Sequence, residues 1–377
     1  MTPPLSREQA LEQAEAGTPR FVYDGEEIRE RVARVRAALP DVTFLYASKA
    51  NGFPPLLRLM ADGVDGVDVT SRGALESAIE AGFAPASVQY TSPGKSADDL
   101  RAAVVVGATV VVGGRDEAVE LHELAPEHPA MLRVNPIEKL HAFRSATGGV
   151  PSPFGVPEEE VAEALAVPLP WAGLHVHRGS QCTSRGALLR HVNGTLLLAE
   201  RLHREHGLPL HVNLGGGWGV PPRGGEPLDL EAMGRQWSKA LAAFRARWPD
   251  ARFAVEPGRW LVGEAGTLLL RVLRVRTVRG TTFVVLDGGI DTFLFASERM
   301  RHGPPPPIRN LSHPGGDPTP VTLVGPACTG EDTLVRDLVL PRCREGDVLA
   351  IDQAGAYAAR ASVRGFLGRC DAEEVLV

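Results

Sequence analysis

Short apolar runs alternate with amphipathic segments from residue 43 to residue 255. Runs rich in Val, Ile, Leu, Phe and Tyr, each bounded by Gly, Pro, Asn or Asp, predict eight strands at 43–48, 66–69, 87–90, 109–112, 130–134, 173–177, 210–214 and 252–255. The stretches between them place apolar residues at i, i+3 and i+4, which predicts helices at 55–62, 72–81, 97–105, 115–124, 158–166, 188–206 and 230–248. Strand followed by helix, repeated eight times, is the layout of a (β/α)8 barrel, with a doubly wound open sheet as the structural rival.

After Pro257 the texture changes to strands and turns, at 260–280, 282–286, 319–324 and 347–353, and residues 20–23 are also strand-like. The expected organisation is a barrel over 26–258 and a β-rich C-terminal domain over 259–377 that recruits the N-terminal strand 18–25. Prolines and glycines at 302–320 predict a long loop there, because proline cannot donate to a helix or a central strand.

Composition narrows the function classes. The 377 residues carry 40 Lys+Arg against 46 Asp+Glu, a net charge of −6, which argues against a nucleic-acid binder. Only four of the basic residues are lysines, namely Lys49, Lys95, Lys139 and Lys239. A lysine inside a motif therefore stands out, since arginine cannot replace it where a neutral amine is needed. The cysteines Cys182, Cys328, Cys343 and Cys370 form no CxxC pair, so neither a disulfide scaffold nor a structural zinc site is expected. The N-terminal stretch is polar and acidic, and no run is long and apolar enough to span a membrane, so a cytoplasmic protein is the expectation.

In such a barrel, chemistry sits at the C-terminal ends of the strands. Those ends read Ser48-Lys49-Ala50-Asn51, Asp68-Val69-Thr70-Ser71, Arg133-Val134-Asn135, His175 through Gln181, Asn213-Leu214-Gly215-Gly216-Gly217 and Glu256-Pro257-Gly258-Arg259. Lys49 leaves an apolar strand for the mouth, where a desolvated amine can form an imine. The three glycines let backbone N–H groups approach a phosphate, or simply make a tight turn. His175 and His177 have a metal-ligand spacing, but further ligands at the other strand ends are sparse and no metal is expected. Farther on, Cys328 lies in a Gly/Pro-bounded loop where it is either a proton donor or a small buried hydrophobe.

The ordered motifs YASKAN (46–51), DGVDVTSRGALESAIEAG (65–82), PFGV (153–156), HVHRGSQ (175–181), NLGGGWG (213–219), VEPGR (255–259), LDGGI (286–290), GPACTGED (325–332) and GAY (355–357) cover nearly the whole chain. Together they resemble the fold type III, pyridoxal-phosphate-dependent decarboxylases of diaminopimelate, ornithine and arginine. That resemblance implies that Lys49 holds the cofactor covalently near Asp68, that His177 stacks on its ring and that Glu256 pairs with the ring nitrogen. Ser180, Gly215, Gly216, Gly217 and Arg259 would bind the phosphate, and Tyr357 would lie against the cofactor. Arg133, Asp287, Thr329, Asp332 and Tyr357 are the implied substrate contacts, and Cys328 the implied proton donor at Cα. Members of this family are head-to-tail homodimers, so Cys328 and Asp332 would come from the partner subunit.

One departure bears on the substrate. Ornithine and diaminopimelate decarboxylases place an acid directly after the loop cysteine, where this chain has the neutral Thr329. RVNP (133–136), GGVPSPFGV (148–156) and FLFAS (293–297) look like a subgroup that serves secondary metabolism. Its members act on citryl-diaminopropionate in siderophore assembly or on aminoacyl groups tethered to carrier proteins. A decarboxylase of a derivatised amino acid is thus the leading expectation. A decarboxylase of free diaminopimelate, ornithine or lysine is the alternative, and a racemase of the same fold a more distant one, because racemases place an arginine rather than a carboxylate such as Glu256 at the ring nitrogen.

Overall fold

The computed structural model describes residues 4–222, 225–301 and 303–377. The chain divides into two compact units, one of Arg29–Pro221 with Glu226–Trp260, the other of Met1–Ile28, Pro222–Gly225 and Leu261–Val377.

The first unit is a closed parallel barrel of eight strands: Thr43–Ala47, Gly66–Val69, Val88–Thr91, Thr109–Val112, Ala130–Asn135, Trp171–His175, His211–Asn213 and Arg252–Val255. Closure comes from the eighth strand pairing with the first, Ala254 opposite Thr43 and Val255 opposite Phe44. The strand bodies Val67, Val110, Leu132, Leu174, Val212 and Ala254 are buried, as all-parallel strands covered by helices must be. Helices pack outside, and the pattern of Leu230–Arg245 explains its fold: Leu230, Met233, Trp237, Leu241 and Phe244 fall on one buried face. Its start is fixed by Asp229, whose side chain accepts from Ala232 N.

The sixth strand begins and ends two residues earlier than the 173–177 reading, at Trp171–His175. Past His175 the chain keeps one ladder bond, Val176 N to Asn213 O at 3.0 Å, before it turns.

The second unit is built on a mixed sheet. In spatial order its strands are Ile308–Asn310, Val348–Ile351, Gly266–Val278, Thr281–Leu286, Pro318–Val324 and Thr333–Pro341. The N-terminal strand Arg20–Tyr23 pairs with both Gly266–Val278 and Glu373–Leu376. A helix at Arg7–Glu15, absent from the sequence reading, is closed by a capping box between Ser6 and Gln9. Its Ala10 and Ala14 join Leu5, Val22, Leu269, Leu311, Val348 and Ala350 in one core.

The 302–320 reading needs correction. Ile308–Asn310 is a strand at the sheet edge, and Pro318–Val324 is a strand in its body. The prolines are tolerated because Pro318 and Pro320 face only Thr333–Pro341, whereas the other neighbour begins pairing at Thr322. His302 lies outside the described residues, as do residues 1–3 of the N-terminal reading.

Candidate active site

The barrel mouth gathers one amine and two carboxylates. Lys49 leaves the first strand in a short turn, Ser48–Ala50, with its side chain 32% exposed and its Nζ 3.2 Å from Asp68 Oδ2. Asp68 stands opposite Ala47 on the second strand and is fully buried. Glu256 follows the eighth strand and is equally enclosed. Its Oε2 lies 3.2 Å from His175 Nε2 and 3.3 Å from Asn213 Nδ2, and its Oε1 lies 3.3 Å from His177 Nδ1. The two histidines thus converge on one carboxylate. Among the described residues no group of three or more His, Cys, Asp or Glu is placed to hold a metal ion.

The electrostatics separate the two acids. Burial raises the Asp68 carboxyl and the charge of Glu256 raises it further, against the opposing pull of Lys49. Burial would raise Glu256 too, but His175, His177 and Lys49 outweigh it and hold that carboxyl well below the usual range. Glu256 is thus pushed toward the anionic form and Asp68 toward the protonated one. Two neighbouring acids driven apart in this way take different roles.

The glycine run after the seventh strand could not carry side chains. A Cβ on Gly216 would stand 2.3 Å from Glu256 O, and one on Gly217, at φ +83°, 2.2 Å from Gly179 O. Gly216 N also lies 3.3 Å from His177 Nδ1, the atom that faces Glu256. His177 Nδ1 cannot accept from Gly216 and donate to Glu256 at once. In the structure the Gly216 N–H donates to Nδ1, and Glu256 Oε1 lies at the same 3.3 Å, so the two groups compete for one ring nitrogen. Ser180 sits beside this run in the two-residue strand Gly179–Ser180, and Arg259 begins the short helix Arg259–Val262. An accessible amine, a buried anion and a backbone cradle too tight for any Cβ fit pyridoxal phosphate.

Sequence reasoning missed several polar residues here. Asn213 bridges Glu256 and Gln89, with Nδ2 3.1 Å from Gln89 Oε1, while its Oδ1 accepts from Gly215 N at 2.7 Å. Its place at the head of the NLGGGWG motif was the available signal. Lys95 Nζ is buried 2.5 Å from Glu117 Oε1, a pairing that only the fold reveals. Arg133, by contrast, is among the substrate contacts named from the sequence, and it is buried with its guanidinium 4.8 Å from the Phe154 ring centroid.

The remaining sequence-identified residues belong to the other unit. Cys328 is an exposed thiol. Asp332 is buried, its Oδ1 accepting from Ile290 N at 2.8 Å and its Oδ2 from Ala327 N at 2.7 Å. Asp287 is likewise engaged, by Thr18 Oγ1 at 2.5 Å and Arg271 N at 2.8 Å. Thr329 Oγ1 accepts from Glu331 N at 3.3 Å. Tyr357 has φ +54°, a left-handed conformation that side chains rarely adopt and that clusters at functional positions.

Two histidines give the barrel an acid-sensitive stability. Burial pushes His177 down to about 4 and His191 down to about 3, so both stay neutral in the folded protein. The unfolded chain binds those protons below about pH 6.5. The stability they contribute is complete above that value and is lost as pH falls, by roughly 1.4 kcal/mol per pH unit for each ring. Asp68 works in the opposite direction, but only between its raised value in the folded protein and the ordinary carboxylate value, where the folded state alone holds the proton. Thermal melts should show Tm falling steadily below about pH 6.5, and less steeply in His191→Gln. A flat profile would exclude neutral burial of the two rings.

Comparison with known proteins places this geometry. The family model for the pyridoxal binding domain of pyridoxal-dependent decarboxylases matches residues 25–263. The L-glutamyl-[BtrI acyl-carrier protein] decarboxylase of Niallia circulans is 29% identical over 379 residues, covering 95% of this chain and 88% of that protein. The diaminopimelate decarboxylase of Deinococcus radiodurans is 34% identical over 384 residues, covering 99% and 93%. The crystal structure of diaminopimelate decarboxylase from Helicobacter pylori complexed with L-lysine superposes with a TM-score of 0.87 at 26% identity, covering 97% of this chain and 94% of that one. Since the match spans every barrel strand, from the one that leads into Lys49 to the one that ends before Glu256, this chain belongs to the pyridoxal-dependent decarboxylases, enzymes that release CO2 from amino acids.

Proposed function

We propose that this decarboxylase acts on an amino acid whose side chain is derivatised, either citryl-linked in the manner of citryl-diaminopropionate or tethered as an aminoacyl group to a carrier protein. The observation that carries the reading is the loop at 325–332. A free diamino acid brings a distal ammonium that needs a carboxylate once desolvated. In this loop Thr329 is neutral, Asp332 gives both oxygens to backbone donors, and Glu331 is 2.5 Å from Arg299. The one buried acid of the loop is thus taken up by the backbone, and Glu331 lies in an exposed ion pair. The likeness to a carrier-protein-linked glutamyl decarboxylase points the same way.

The chain's residues divide the work as follows. When bound, pyridoxal phosphate supplies an electron sink for the pair left behind as CO2 departs. Lys49 Nζ holds the cofactor, and Asp68 beside it takes up and returns the amine's proton. Glu256, its carboxyl held low, would keep a proton at the ring nitrogen, and His177 would lie against the ring. Ser180, the three glycines and Arg259 would hold the phosphate end, and Tyr357 would lie against the cofactor. Arg133, a buried cation at the mouth, is suited to a substrate carboxylate. The exposed Cys328 Sγ returns a proton to Cα, in a homodimer where each subunit supplies this thiol to its partner.

The test is CO2 release by the holoenzyme. Citryl-diaminopropionate or a carrier-bound aminoacyl substrate should exceed free lysine, ornithine and diaminopimelate by about 100-fold or more in kcat/KM, the scale on which an unmatched polar group is rejected. Efficient turnover of free lysine or diaminopimelate would overturn the proposal in favour of an ordinary diamino acid decarboxylase.

A further inference from the structure

We propose that Arg178 and His191 form a positioning relay that holds the Gly215–Gly217 cradle in the shape that grips the cofactor's phosphate. The inference rests on the reading above that this cradle binds a phosphate. Three consecutive glycines have no side chains with which to anchor themselves, and glycine is the most conformationally free residue. Backbone bonds tie the run itself, Gly215 N to Asn213 Oδ1, Glu256 N to Gly215 O and Cys182 N to Gly217 O, and what remains to be fixed is the chain that enters and leaves it.

Both flanks are fixed. On the far side, Trp218 is buried and packs edge to face against Trp237, with ring centroids 5.8 Å apart. On the near side, Leu214 is gripped at both ends of its backbone. Its N–H donates to Ala254 O at 2.8 Å, and its carbonyl lies 2.7 Å from His191 Nε2.

His191 belongs to the long helix Arg185–His206 and sits on its buried face among Leu188, Val192 and Leu196. An imidazole on an apolar face is costly unless both nitrogens are used. A carbonyl oxygen only accepts, so Nε2 carries the proton. Nδ1 is then a lone pair, and Arg178 Nε, which only donates, meets it at 3.2 Å. The partners on either side thus fix one neutral tautomer. Arg178 is itself buried in the turn that follows the sixth strand, next to His177, and is held by Glu138 through its carbonyl and its carboxylate.

The helix yields space to this arrangement. Gly194 lies in its interior, where glycine is a poorer helix former than alanine. A Cβ there would come within 3.3 Å of both Arg178 Nη2 and Glu138 Oε2. Phe143 closes the assembly, 6.1 Å from His191 between ring centroids and within 3.1 Å of where a Gly217 Cβ would stand.

The relay makes a prediction that general destabilisation does not. Apoprotein would be titrated with pyridoxal 5′-phosphate and, separately, with pyridoxal, which lacks the phosphate, following binding by absorbance and folding by circular dichroism. His191→Phe keeps the ring volume and removes both polar atoms. It should weaken pyridoxal 5′-phosphate by roughly tenfold or more, while pyridoxal changes by less than about twofold. His191→Gln, which supplies a donor and an acceptor, should restore most of the preference. If His191→Phe does not fold, Arg178→Met tests the same relay and should lose phosphate selectivity in the same direction. Equal weakening of both ligands, or of neither, would overturn the relay. A wild-type protein that does not prefer the phosphorylated ligand would instead defeat the phosphate reading of the cradle itself.

Discussion

Replacing Lys49 by alanine is expected to remove decarboxylation, a loss of roughly 10⁴-fold or more given that one group provides both attachment and proton transfer. The informative companion is Lys49→Arg. Arginine keeps the positive charge that faces Asp68 Oδ2 at 3.2 Å, but it cannot become a neutral nucleophilic amine. If Lys49 served only to balance Asp68, the arginine variant would retain most activity. If the amine is the reacting group, both variants fall equally far. Folding should survive either change, because the Asp68 carboxyl is already raised by burial and by Glu256 and can take a proton when its partner is lost. The checks are CO2 release, the visible absorption of protein incubated with pyridoxal phosphate, and whether borohydride fixes that chromophore to the chain. Wild-type protein should be fixed and both variants should not. An active, chromophore-bearing Lys49→Arg would sink the assignment.

The barrel was legible because its signals are local. Each strand is a short apolar run that ends at a polar or glycine-rich turn, and Lys49, Asp68, His177 and Glu256 all stand at such ends. What escaped depends on distance along the chain or on single residues. Arg178 and His191 are 13 apart and lie on different elements, so nothing in the pattern pairs them. Lys95 and Glu117 meet only because neighbouring barrel units place them side by side. The strand Thr333–Pro341 was overlooked because Asp337 interrupts it at φ +50°, beside a register shift. That Thr329 is neutral is plain in the sequence, whereas the turning of Asp332 inward onto Ile290 N and Ala327 N is visible only in three dimensions.

Glu256→Gln is expected to lower kcat by roughly 100- to 1000-fold, the scale of removing one preorganised charge from where electrons accumulate. The carboxylate is held well below the usual range by His175, His177 and Lys49 despite its burial, so the wild-type site always presents an anion. An amide cannot hold a proton at the ring nitrogen. It also carries donors where the carboxylate only accepts, and whichever way it turns, its NH2 opposes either the His175 and Asn213 donors at Oε2 or His177 at Oε1. A second consequence separates this residue from a packing role. Burial is the first cause of the raised Asp68 carboxyl and the charge of Glu256 the second, so removing that charge should move Asp68 back toward its ordinary value. The acid limb of the pH–rate profile for kcat should therefore shift to lower pH in Glu256→Gln, even as the plateau falls. Cofactor affinity should change far less than kcat, because the cradle and Lys49 are untouched. A kcat within tenfold of wild type, or a limb that stays in place, would show that Glu256 is neither the charge partner of the ring nor the neighbour that tunes Asp68.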